Sequence, residues 1–354
     1  MKILVISFSL SSGGAERFAV DLCNSLSGKH EVIMLTTDDD ASASNAYYRN
    51  ELDNSVRYIN LAASRGHSVS ALTGVMRVIR KERPDIVHAH TDLLHLILPS
   101  LFCRGVRYVH TIHSVAEYYL QSKLEKPLFR HMYSRSVIPV TISPVCSNSY
   151  RNLYGLNNDV MILNGRSRPV LSESAESVKE QMLAFKDGRP LFVHIARFAP
   201  PKNQTVLFDA VKKMKGAVRL VVIGRDFPSE IQSAQDPAIV RFEGERLNVG
   251  DYLQIADFFV LSSSFEGLPL SLLEAMSYGV VPVSTPAGGV NDVIRDGENG
   301  FLAKGFTADD LAGAMRRAVE ATLDRNAIIA EYERSFSMEA CASRYQGLFD
   351  TIIR

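Results

Sequence analysis

The stretch KILVISFSLSSGGAERFAVDLCNSLS, residues 2–27, decides the class of fold that this sequence predicts. Its first seven residues are mostly aliphatic and predict a buried strand over Lys2–Phe8. A glycine-rich turn follows and leads into a helical pattern over Ala15–Ser27. A strand that is apolar on both faces and runs directly into an amphipathic helix is typical of a parallel sheet covered by helices. The opening of the chain therefore predicts an α/β protein.

The same alternation of strand and helix continues through both halves of the sequence. Further elements of the first half are predicted as strands over Glu31–Thr36, Val56–Ile59, Ile86–His88, Arg107–Thr111, Ile138–Ile142 and Val160–Leu163, and as helices over Val69–Lys81 and Pro127–Arg135. Strands of the second half are predicted over Leu191–Ile195, Arg219–Ile223, Val240–Phe242, Phe258–Leu261 and Val280–Val283. The stretch Arg166–Arg189 is rich in Ser, Glu and Lys, and we place a domain boundary there. Two doubly wound domains form a cleft where they face each other, and ligands bind outside the carboxyl ends of such strands.

Length and composition agree with a two-domain globular protein. The chain has 354 residues, of which 46% are hydrophobic, and no uncharged apolar run reaches the ~18–20 residues needed to span a bilayer. The apolar start resembles a signal peptide, but the run ends in Ser-Ser-Gly-Gly-Ala-Glu-Arg, which fits a buried strand and its turn better. The four cysteines, Cys23, Cys103, Cys146 and Cys341, have no paired spacing, so we expect reduced thiols and a cytoplasmic location.

The charge distribution argues against nucleic acid as a partner. Lysine plus arginine and aspartate plus glutamate both number 39, so the formal net charge is zero, and no concentrated basic face is visible. The stretch Tyr118–Ser136 mixes aromatic side chains with Lys123, Lys126, Arg130 and Arg135. It fits a peripheral contact with a membrane surface near a lipid-linked acceptor, or a solvated helix with an ordinary core face.

Several residues near predicted strand ends suit the binding of a diphosphate. Arg197 follows the strand Leu191–Ile195, and Lys202 precedes Asn203, which is placed to cap the next helix; arginine offers a forked donor and lysine a point charge. The paired glycines of the first turn, Gly13 and Gly14, would let the backbone approach a ligand closely, or they form only a tight strand-to-helix turn.

The segment Phe265–Ala275 carries a second group of candidate residues. Pro269 suits the first turn of a helix that Gly279 would terminate. Glu266 then precedes the helix, and Glu274 lies on a face otherwise used for packing, where a carboxylate needs a reason. Taken alone, this segment would favour a simpler interpretation, in which the two are a helix-start acid and a surface acid.

In chain order these features resemble glycosyltransferase family 4, the retaining nucleotide-sugar transferases with the GT-B fold. The resemblance rests on Gly13-Gly14-Ala15-Glu16, Pro84–His90, His110-Thr111-Ile112-His113, Asn164-Gly165, Arg197 with Lys202, Glu266-x₇-Glu274, Pro286–Gly289 and Asp296–Gly300. It covers nearly the whole chain and is strongest over residues 190–302. It implies two Rossmann-like domains, 1–165 on the acceptor side and 166–337 binding the nucleotide sugar, with a C-terminal helix over 338–354 that crosses back to the N-terminal domain.

The resemblance also implies a role for each matching residue. Arg197 and Lys202 would hold the donor diphosphate, Glu266 would bond hydroxyls of the donor sugar, and Glu274 would bind the ribose. His113 would reach the donor sugar from the first domain, and Gly14 would lie against the diphosphate or the acceptor. The remaining positions that the resemblance assigns to donor binding are Gly13, Gly165, Arg246 beside the nucleotide base, Gly267, Leu268 and Leu270.

The sequence departs from the family pattern at three places. Arg166 and Ser167 follow Asn164-Gly165 where the family often has Val-Asp. Asn291-Asp292 stand where the family often has Pro-Glu, and Ala196 stands where a Gly-Arg pair is usual. No proposed charge is lost by these departures, but they bear on the preference for base and acceptor.

No metal or other cofactor is expected. Asp38-Asp39-Asp40 imitates a D-x-D metal site but lies in a polar stretch, Thr36–Asn45, that reads as a solvated acidic run. His88-x-His90 and His110-x-x-His113 lack a matched third ligand.

The predicted function is therefore retaining, metal-independent transfer of a sugar from a nucleotide diphosphate sugar to a glycan or lipid-linked oligosaccharide. The expected donor is a UDP-sugar, and the expected role is bacterial surface polysaccharide synthesis. A nucleotide-sugar epimerase or sugar phosphorylase on the same fold, or a non-catalytic two-domain sugar-binding protein, are the alternatives. A nicotinamide oxidoreductase is disfavoured because G-x-G-x-x-G is absent after the first strand.

Overall fold

A computed structural model of the chain describes residues 1–41, 44–63, 69–90, 94–119 and 125–353. The chain divides into two compact units. The first unit comprises Met1–Arg166 and Met338–Arg354, and the second unit comprises Ser167–Ser337.

The first unit is a seven-stranded parallel sheet with helices between its strands. The strands are β1 (Lys2–Ser7), β2 (Glu31–Asp38), β3 (Arg57–Ala63), β4 (Ile86–His90), β5 (Arg107–Ile112), β6 (Val137–Thr141) and β7 (Val160–Met161). The helices are α1 (Gly14–Ser27), α2 (Val69–Glu82), α3 (Leu94–Ile97), α4 (Glu125–Arg135) and α5 (Pro144–Tyr154), with short 3₁₀ turns at Arg49–Glu51, Leu98–Leu101 and Ala116–Tyr119. The strand order is β3-β2-β1-β4-β5-β6-β7. The order therefore reverses between β1 and β4, which is the point where doubly wound sheets open a crevice for ligands.

The second unit repeats this scheme with six parallel strands. The strands are β8 (Leu191–Ile195), β9 (Arg219–Ile223), β10 (Val240–Gly244), β11 (Phe258–Leu261), β12 (Val281–Ser284) and β13 (Phe301–Leu302). The helices are α6 (Ala175–Lys186), α7 (Gln204–Lys213), α8 (Ser229–Ser233), α9 (Val249–Leu253), α10 (Leu270–Ser277), α11 (Ala308–Glu320) and α12 (Arg325–Ser335), with 3₁₀ turns at Pro200–Lys202 and Gly288–Asp292. The strand order β10-β9-β8-β11-β12-β13 reverses between β8 and β11.

The last helix, α13 (Met338–Ile353), belongs to the first unit, as predicted. Its apolar face is buried, with Tyr345 and Phe349 fully inaccessible. The hydroxyls of Tyr345 and Thr111 on β5 lie 2.8 Å apart and form a buried hydrogen bond. This contact ties the end of the chain to the sheet of the first unit.

The predicted elements differ from the structure mainly at their ends. Strand β2 continues to Asp38, so the acidic run expected in a solvated stretch begins inside the sheet, and Asp38 is buried. Helix α6 occupies the stretch in which we placed the domain boundary. Its only buried residues are Ala175 and Met182, a pattern too sparse for periodicity to detect. The two-residue strand β13 was also missed.

Candidate active site

The candidate site of the second unit lies at the carboxyl ends of β8 and β11, where the strand order reverses. The loop after β8 contains Lys202, and the loop after β11 contains Glu266. The Ser262 hydroxyl donates to the Lys202 backbone carbonyl at 2.8 Å, and the Ser264 N–H donates to the Pro201 carbonyl at 2.8 Å. These two bonds hold the loops against each other, so the charged side chains they carry are positioned by backbone contacts.

Lys202 and Glu266 form an ion pair within this site. The Lys202 ammonium donates to Glu266 Oε1 at 2.7 Å, and the Ser263 hydroxyl donates to the same oxygen at 2.5 Å. The side chains are 26% and 9% exposed, respectively. A pair this poorly solvated is screened less than a surface pair, so each charge is held close to its partner.

A second glycine pair fixes the backbone of Glu266. The Gly289 N–H donates to the Glu266 carbonyl at 3.0 Å. Gly288 adopts φ +57°, and a Cβ at this position would lie 2.4 Å from that carbonyl oxygen. Only glycine fits such a close approach in the left-handed region. The Pro286–Gly289 segment thus supports Glu266, a role that the sequence pattern alone did not reveal.

Helix α10 begins at Leu270, shortly after Glu266 and Gly267 in the chain. Pro269 occupies the N-cap position with an extended backbone, one residue earlier than the first-turn position predicted for it. No side chain caps the helix start, so backbone N–H groups around Leu270 remain for a bound anion. Glu274 lies on the second turn and is only 8% exposed. Its burial on the packing face agrees with the expectation that this carboxylate is not a surface acid.

Arg197 lies on the exposed side of the loop after β8. Its backbone carbonyl accepts a 2.8 Å bond from the Gln204 amide of α7. In the part of the chain that the structure describes, its guanidinium forms no ion pair. The preceding residue, Ala196, presses its carbonyl against Gly224, where a Cβ would lie 2.0 Å from that oxygen.

Asn203 occupies the N-cap position of α7 but does not cap the helix as predicted. Its backbone is left-handed, with φ +50°, and its side chain makes no capping hydrogen bond.

Sequence reasoning missed a buried histidine beneath the loops of β8 and β11. His194 on β8 donates through Nδ1 to the Val260 carbonyl of β11 at 2.8 Å, and the Gln204 amide approaches its Nε2 at 3.4 Å. Burial lowers the pKa of His194 to about 4, so the ring is neutral at pH 7. A histidine inside an otherwise aliphatic strand was the available signal.

Arg246 lies on the loop after β10, two strands away from β8 in the sheet order. Its guanidinium donates to the Tyr252 hydroxyl at 3.2 Å and to Glu243 at 3.3 Å. The bond to Tyr252, followed by the Glu243 charge, raises the pKa of Arg246 above its usual value. The structure thus places Arg246 at the same edge of the sheet as Lys202 and Glu266, but on a different loop.

In the first unit, Gly13 and Gly14 follow β1 and begin α1. Neither adopts a positive φ, so backbone strain does not require glycine at either position. A Cβ on Gly14 would meet no atom within 4 Å, whereas one on Gly13 would collide with the Glu16 carboxylate. The turn therefore leaves open space above the start of a 14-residue helix.

Two histidines meet at the carboxyl edge of the first sheet. His90 ends β4 and His113 follows β5; their Nδ1 and Nε2 atoms lie 3.0 Å apart. The Phe18 ring of α1 packs edge-on against His113, with centroids 5.2 Å apart. Burial lowers the pKa of His113 to about 3 and holds the pKa of His90 well below its usual value. Both imidazoles are therefore neutral at pH 7 and exchange one hydrogen bond.

Gly165 is buried, and the residue after it, Arg166, is one of the departures from the family pattern. Arg166 is buried at the end of the first unit, and its guanidinium donates to Asp21 of α1 at 2.5 Å. Arg17 bonds the other Asp21 oxygen at 2.5 Å. Arg166 thus fastens the segment that contains Gly165 to helix α1.

The candidate metal residues of the sequence do not gather into a site. Over residues 1–41, 44–63, 69–90, 94–119 and 125–353, no group of three or more His, Cys, Asp or Glu side chains is placed to hold a metal ion. Asp38 instead accepts from the Asn45 amide at 3.2 Å, and Asp40 accepts from Arg49 at 3.2 Å. The four cysteines are buried free thiols.

The stretch predicted to contact a membrane is only partly described. Residues 120–124 lie outside the described residues. Helix α4 presents exposed Lys126, Arg130 and Arg135 and buries Phe129 and Met132. Among the described helices, none is long and apolar enough to cross a bilayer.

Comparison with known proteins defines the class to which this fold and site belong. The family described as "Glycosyltransferase Family 4" matches residues 12–165, and the family described as "Glycosyl transferases group 1" matches residues 176–335. Together they account for most of both units. The chain belongs to glycosyltransferase family 4 and is a glycosyltransferase.

Two relatives support this assignment. An N-acetyl-alpha-D-glucosaminyl L-malate synthase of Bacillus anthracis is 25% identical over 306 residues, which cover 81% of this chain and 80% of the relative. A UDP-Gal:alpha-D-GlcNAc-diphosphoundecaprenol alpha-1,3-galactosyltransferase of Escherichia coli is 24% identical over 278 residues, covering 71% of this chain and 70% of that protein.

Solved structures confirm the predicted fold class, α/β with two Rossmann-like domains of the GT-B type. Anabaena HepE in complex with UDP and glucose has a TM-score of 0.80 and 19% identity, covering 99% of this chain and 100% of that one. A glycosyltransferase from Rickettsia africae has a TM-score of 0.84 and 17% identity, covering 100% of this chain and 98% of that one.

Proposed function

We propose that this protein is a retaining, metal-independent glycosyltransferase that moves a sugar from a UDP-sugar to a glycan or lipid-linked oligosaccharide acceptor. The observation that carries the proposal is the Lys202–Glu266 pair at the strand reversal of the second unit, 2.7 Å apart and largely buried. A solved structure and a relative support this substrate class. HepE is described in complex with UDP and glucose, and the Escherichia coli relative is named for a UDP-sugar donor and a diphosphoundecaprenol acceptor.

The departing diphosphate is stabilised by fixed positive groups in this proposal. Arg197 provides a forked donor without an ion-pair partner in the described chain, and Lys202 provides an ammonium with three N–H donors. The backbone N–H groups of Gly267 and Leu270, near the start of α10, add the positive end of that helix. Negative charge grows on the leaving oxygens during bond cleavage, so these donors act more strongly on the transition state than on the bound donor.

In the proposed reaction, Glu266 bonds first to Lys202 and then, once the donor is bound, to the donor sugar. In the structure its Oε1 accepts from Lys202 and Ser263. When the nucleotide sugar binds, some N–H groups of the Lys202 ammonium donate to the diphosphate. The Glu266 carboxylate then accepts hydrogen bonds from hydroxyls of the sugar. Because both groups are already held in place, little reorganisation is needed at the moment of reaction.

The other site residues have binding roles. Glu274 accepts the ribose hydroxyls, Leu268 packs beside the donor, and Arg246 with its Tyr252 bond borders the base. In the first unit, the neutral His113 ring donates to or accepts from a sugar hydroxyl, and the open turn at Gly14 leaves room for a ligand. The roles of Gly13 and Gly165 in donor binding rest on the family resemblance.

The chemical step breaks the bond from the anomeric carbon to the diphosphate oxygen and forms a bond from that carbon to the acceptor oxygen. We propose that the acceptor attacks on the face that the diphosphate leaves, so the anomeric configuration is retained. The acceptor proton passes to a leaving phosphate oxygen. Fixed cations replace the divalent ion that would otherwise neutralise the diphosphate.

We further propose that the reaction takes place in the cytoplasm, at the inner face of the membrane, in surface polysaccharide synthesis. The support is the diphosphoundecaprenol acceptor named for the Escherichia coli relative and the exposed basic side chains of α4. The first unit would serve the acceptor and the second unit the donor.

The test begins with nucleotide sugars screened by thermal shift, since a bound donor raises the melting temperature by mass action. The stabilising donor is then incubated with glycan and lipid-linked acceptors, and the product's anomeric configuration is read by NMR. We expect a retained configuration and full activity in EDTA. Inverted product would exclude the retaining step. EDTA inactivation rescued by manganese would exclude metal independence, and epimerised donor without transfer would exclude the transferase.

A further inference from the structure

A cavity of about 550 Å³ lies in the first unit, at the end of the sheet opposite the candidate active site. Its wall includes Arg107, the first residue of β5, and Val137, the first residue of β6. Gly13 and His113, by contrast, follow the carboxyl ends of β1 and β5. The cavity therefore lies at the amino-terminal edge of the sheet and shares no residue with the proposed donor site.

The lining of this cavity is rich in positive charge. It contains Arg104, Arg107 and Arg135 and no aspartate or glutamate. All three arginines are exposed, and within the described ranges none of them forms an ion pair. Asp85 lies at the same edge, with its carbonyl accepting from the Arg107 N–H, but its carboxylate accepts from the Lys2 N–H at 2.7 Å.

Besides the three arginines, the wall of the cavity contains side chains with hydroxyl groups. The Ser100 and Ser136 hydroxyls lie 3.0 Å apart in its wall. Tyr108 also lines the cavity; it is 2% exposed, and its hydroxyl has no hydrogen-bond partner among the described atoms. Burial raises the pKa of Tyr108, so the group remains a neutral O–H donor. This hydroxyl is closed off inside the core, so the hydroxyl groups that a ligand could reach are those of the partly buried Ser100 and Ser136.

Three like charges around one cavity create a positive potential that attracts an anion. A carboxylate ligand would compensate one of the three charges, whereas a phosphate or diphosphate compensates two or more. Guanidinium groups also match phosphate oxygens with paired N–H donors. We propose that the cavity bounded by Arg104, Arg107 and Arg135 is a binding site for a phosphate group, distinct from the site of sugar transfer.

Two sources offer this chemistry: a free phosphate or diphosphate ion, and the phosphate of a lipid headgroup. Phe102 adjoins the cavity in sequence and is 57% exposed, which places an aromatic side chain beside the arginines. The experiment therefore has one arm for each source.

The first arm titrates inorganic pyrophosphate into the full chain by calorimetry. The Arg197→Ala/Lys202→Ala variant serves as the background, so that the candidate active site does not compete for the ion. The second arm measures sedimentation with vesicles of phosphatidylcholine containing 30% phosphatidylglycerol, with pure phosphatidylcholine for comparison.

Arg104→Gln/Arg107→Gln/Arg135→Gln removes the proposed site, and we expect at least a 10-fold loss of affinity for whichever probe binds. The matched control, Lys29→Gln/Lys304→Gln/Arg316→Gln, removes three charges at exposed positions outside the cavity and should retain binding. The charge-conserving Arg107→Lys variant should lose part of the affinity, because lysine keeps the charge without the fork. Circular dichroism checks that each variant is folded.

Pyrophosphate binding that only the cavity variant loses supports the site with a free phosphate as its ligand. Binding confined to the anionic vesicles, and lost only in the cavity variant, supports the site with a lipid headgroup. The proposal is overturned if neither probe binds, or if the cavity variant and the control lose binding equally, since the effect would then be one of net charge.

Discussion

The two units have the same strand order through their first six strands, yet the carboxyl edges of their sheets carry different chemistry. In the second unit the loops after β8 and β11 present Arg197 and the Lys202–Glu266 pair. In the first unit the corresponding edge presents His90 and His113, both neutral because burial lowers the pKa of each. The fold places loops, and the side chains on those loops decide what each edge can bind.

The contrast gives each unit a separate role in the proposed reaction. Fixed charges in the second unit suit the diphosphate, whose charge changes during the reaction. Neutral, buried groups in the first unit suit hydrogen bonds with hydroxyl groups, which are uncharged when they bind. The predictions that follow test this division, beginning with the largest expected effect.

The neutral histidines make the first unit the more acid-sensitive of the two. Burial lowers the pKa of His113 to about 3 and the pKa of His88 and His90 well below their usual value, whereas the second unit contributes His194, with a pKa of about 4. Each pKa is lower in the folded chain than in the unfolded chain. The unfolded chain therefore binds more protons in acid, and stability falls as the pH drops below about 6.5.

At pH 5, an imidazole whose pKa is lowered to about 3 or 4 in the folded chain costs about 2 kcal/mol of stability. We expect the free energy of unfolding of the first unit to fall more than that of the second between pH 7 and pH 5, because His88, His90 and His113 lie in the first unit and His194 lies in the second. Hydrogen exchange corrected for intrinsic rates measures both losses. His113→Phe should reduce the pH dependence of the first unit's unfolding free energy by the contribution of one imidazole. An equal loss in both units would show that the histidines of the first unit are not held neutral.

Removal of Arg197 or Lys202 tests whether fixed positive charge in the second unit stabilises the leaving diphosphate. Arg197→Ala and Lys202→Ala should each lower the rate of sugar transfer by ~10²–10³, about 3 kcal/mol, because the leaving diphosphate loses a fixed donor. Arg197 is exposed, so its removal should change the melting temperature little, whereas Lys202→Ala leaves the buried Glu266 carboxylate without its ammonium partner and should lower the melting temperature. Lys212→Ala, an exposed lysine on α7, is the control and should transfer sugar normally. Near-normal turnover in the Arg197→Ala/Lys202→Ala double variant would remove the diphosphate site from this loop.

Two glutamates of the second unit should differ in the kinetic parameter they affect. Glu266→Gln should lower kcat, on the order of 10-fold or more, because it removes the charge at the sugar and leaves Lys202 without its partner. Glu274→Gln should raise KM for the donor with a smaller effect on kcat, since ribose binding is the same in ground and transition states. Donor affinity unchanged in a folded Glu274→Gln variant would contradict the ribose assignment.

Much of this architecture could be predicted from the sequence because parallel strands buried on both faces leave a strong apolar signal. The bounds predicted for Leu191–Ile195, Arg219–Ile223 and Phe258–Leu261 agree with β8, β9 and β11. Weakly buried elements gave no such signal. Helix α6 has two buried residues, and the two-residue strand β13 is too short for any periodicity.

The contacts within the site depend on distant parts of the chain and could not be predicted locally. Lys202 and Glu266 are 64 residues apart, and their pairing follows from the adjacency of β8 and β11 in the sheet. The buried bond between Arg166 and Asp21 joins residues 145 apart. Sequence reasoning supplied the residue types at the strand ends, and the sheet order determined which of them meet.

The two glycine turns provide the last and smallest test of the difference between the units. Gly288 is required by geometry: its φ is +57°, and a Cβ would lie 2.4 Å from the Glu266 carbonyl oxygen. Gly288→Ala should therefore destabilise the second unit by about 1–3 kcal/mol and displace Glu266. Gly14→Ala meets nothing within 4 Å at the start of α1, so its stability should be unchanged or slightly higher.

Gly14→Ala and Gly288→Ala should also differ in how their activity relates to their stability. If the space above Gly14 receives a ligand, the added methyl group lowers kcat/KM while the melting temperature stays constant, an effect that packing within the chain cannot produce. Parallel thermal melts and transfer assays of Gly14→Ala and Gly288→Ala check both expectations. A Gly14→Ala variant with normal stability and normal kcat/KM would mean that the first glycine turn is only a strand-to-helix connection, and the role of the first unit would then rest on His113 alone.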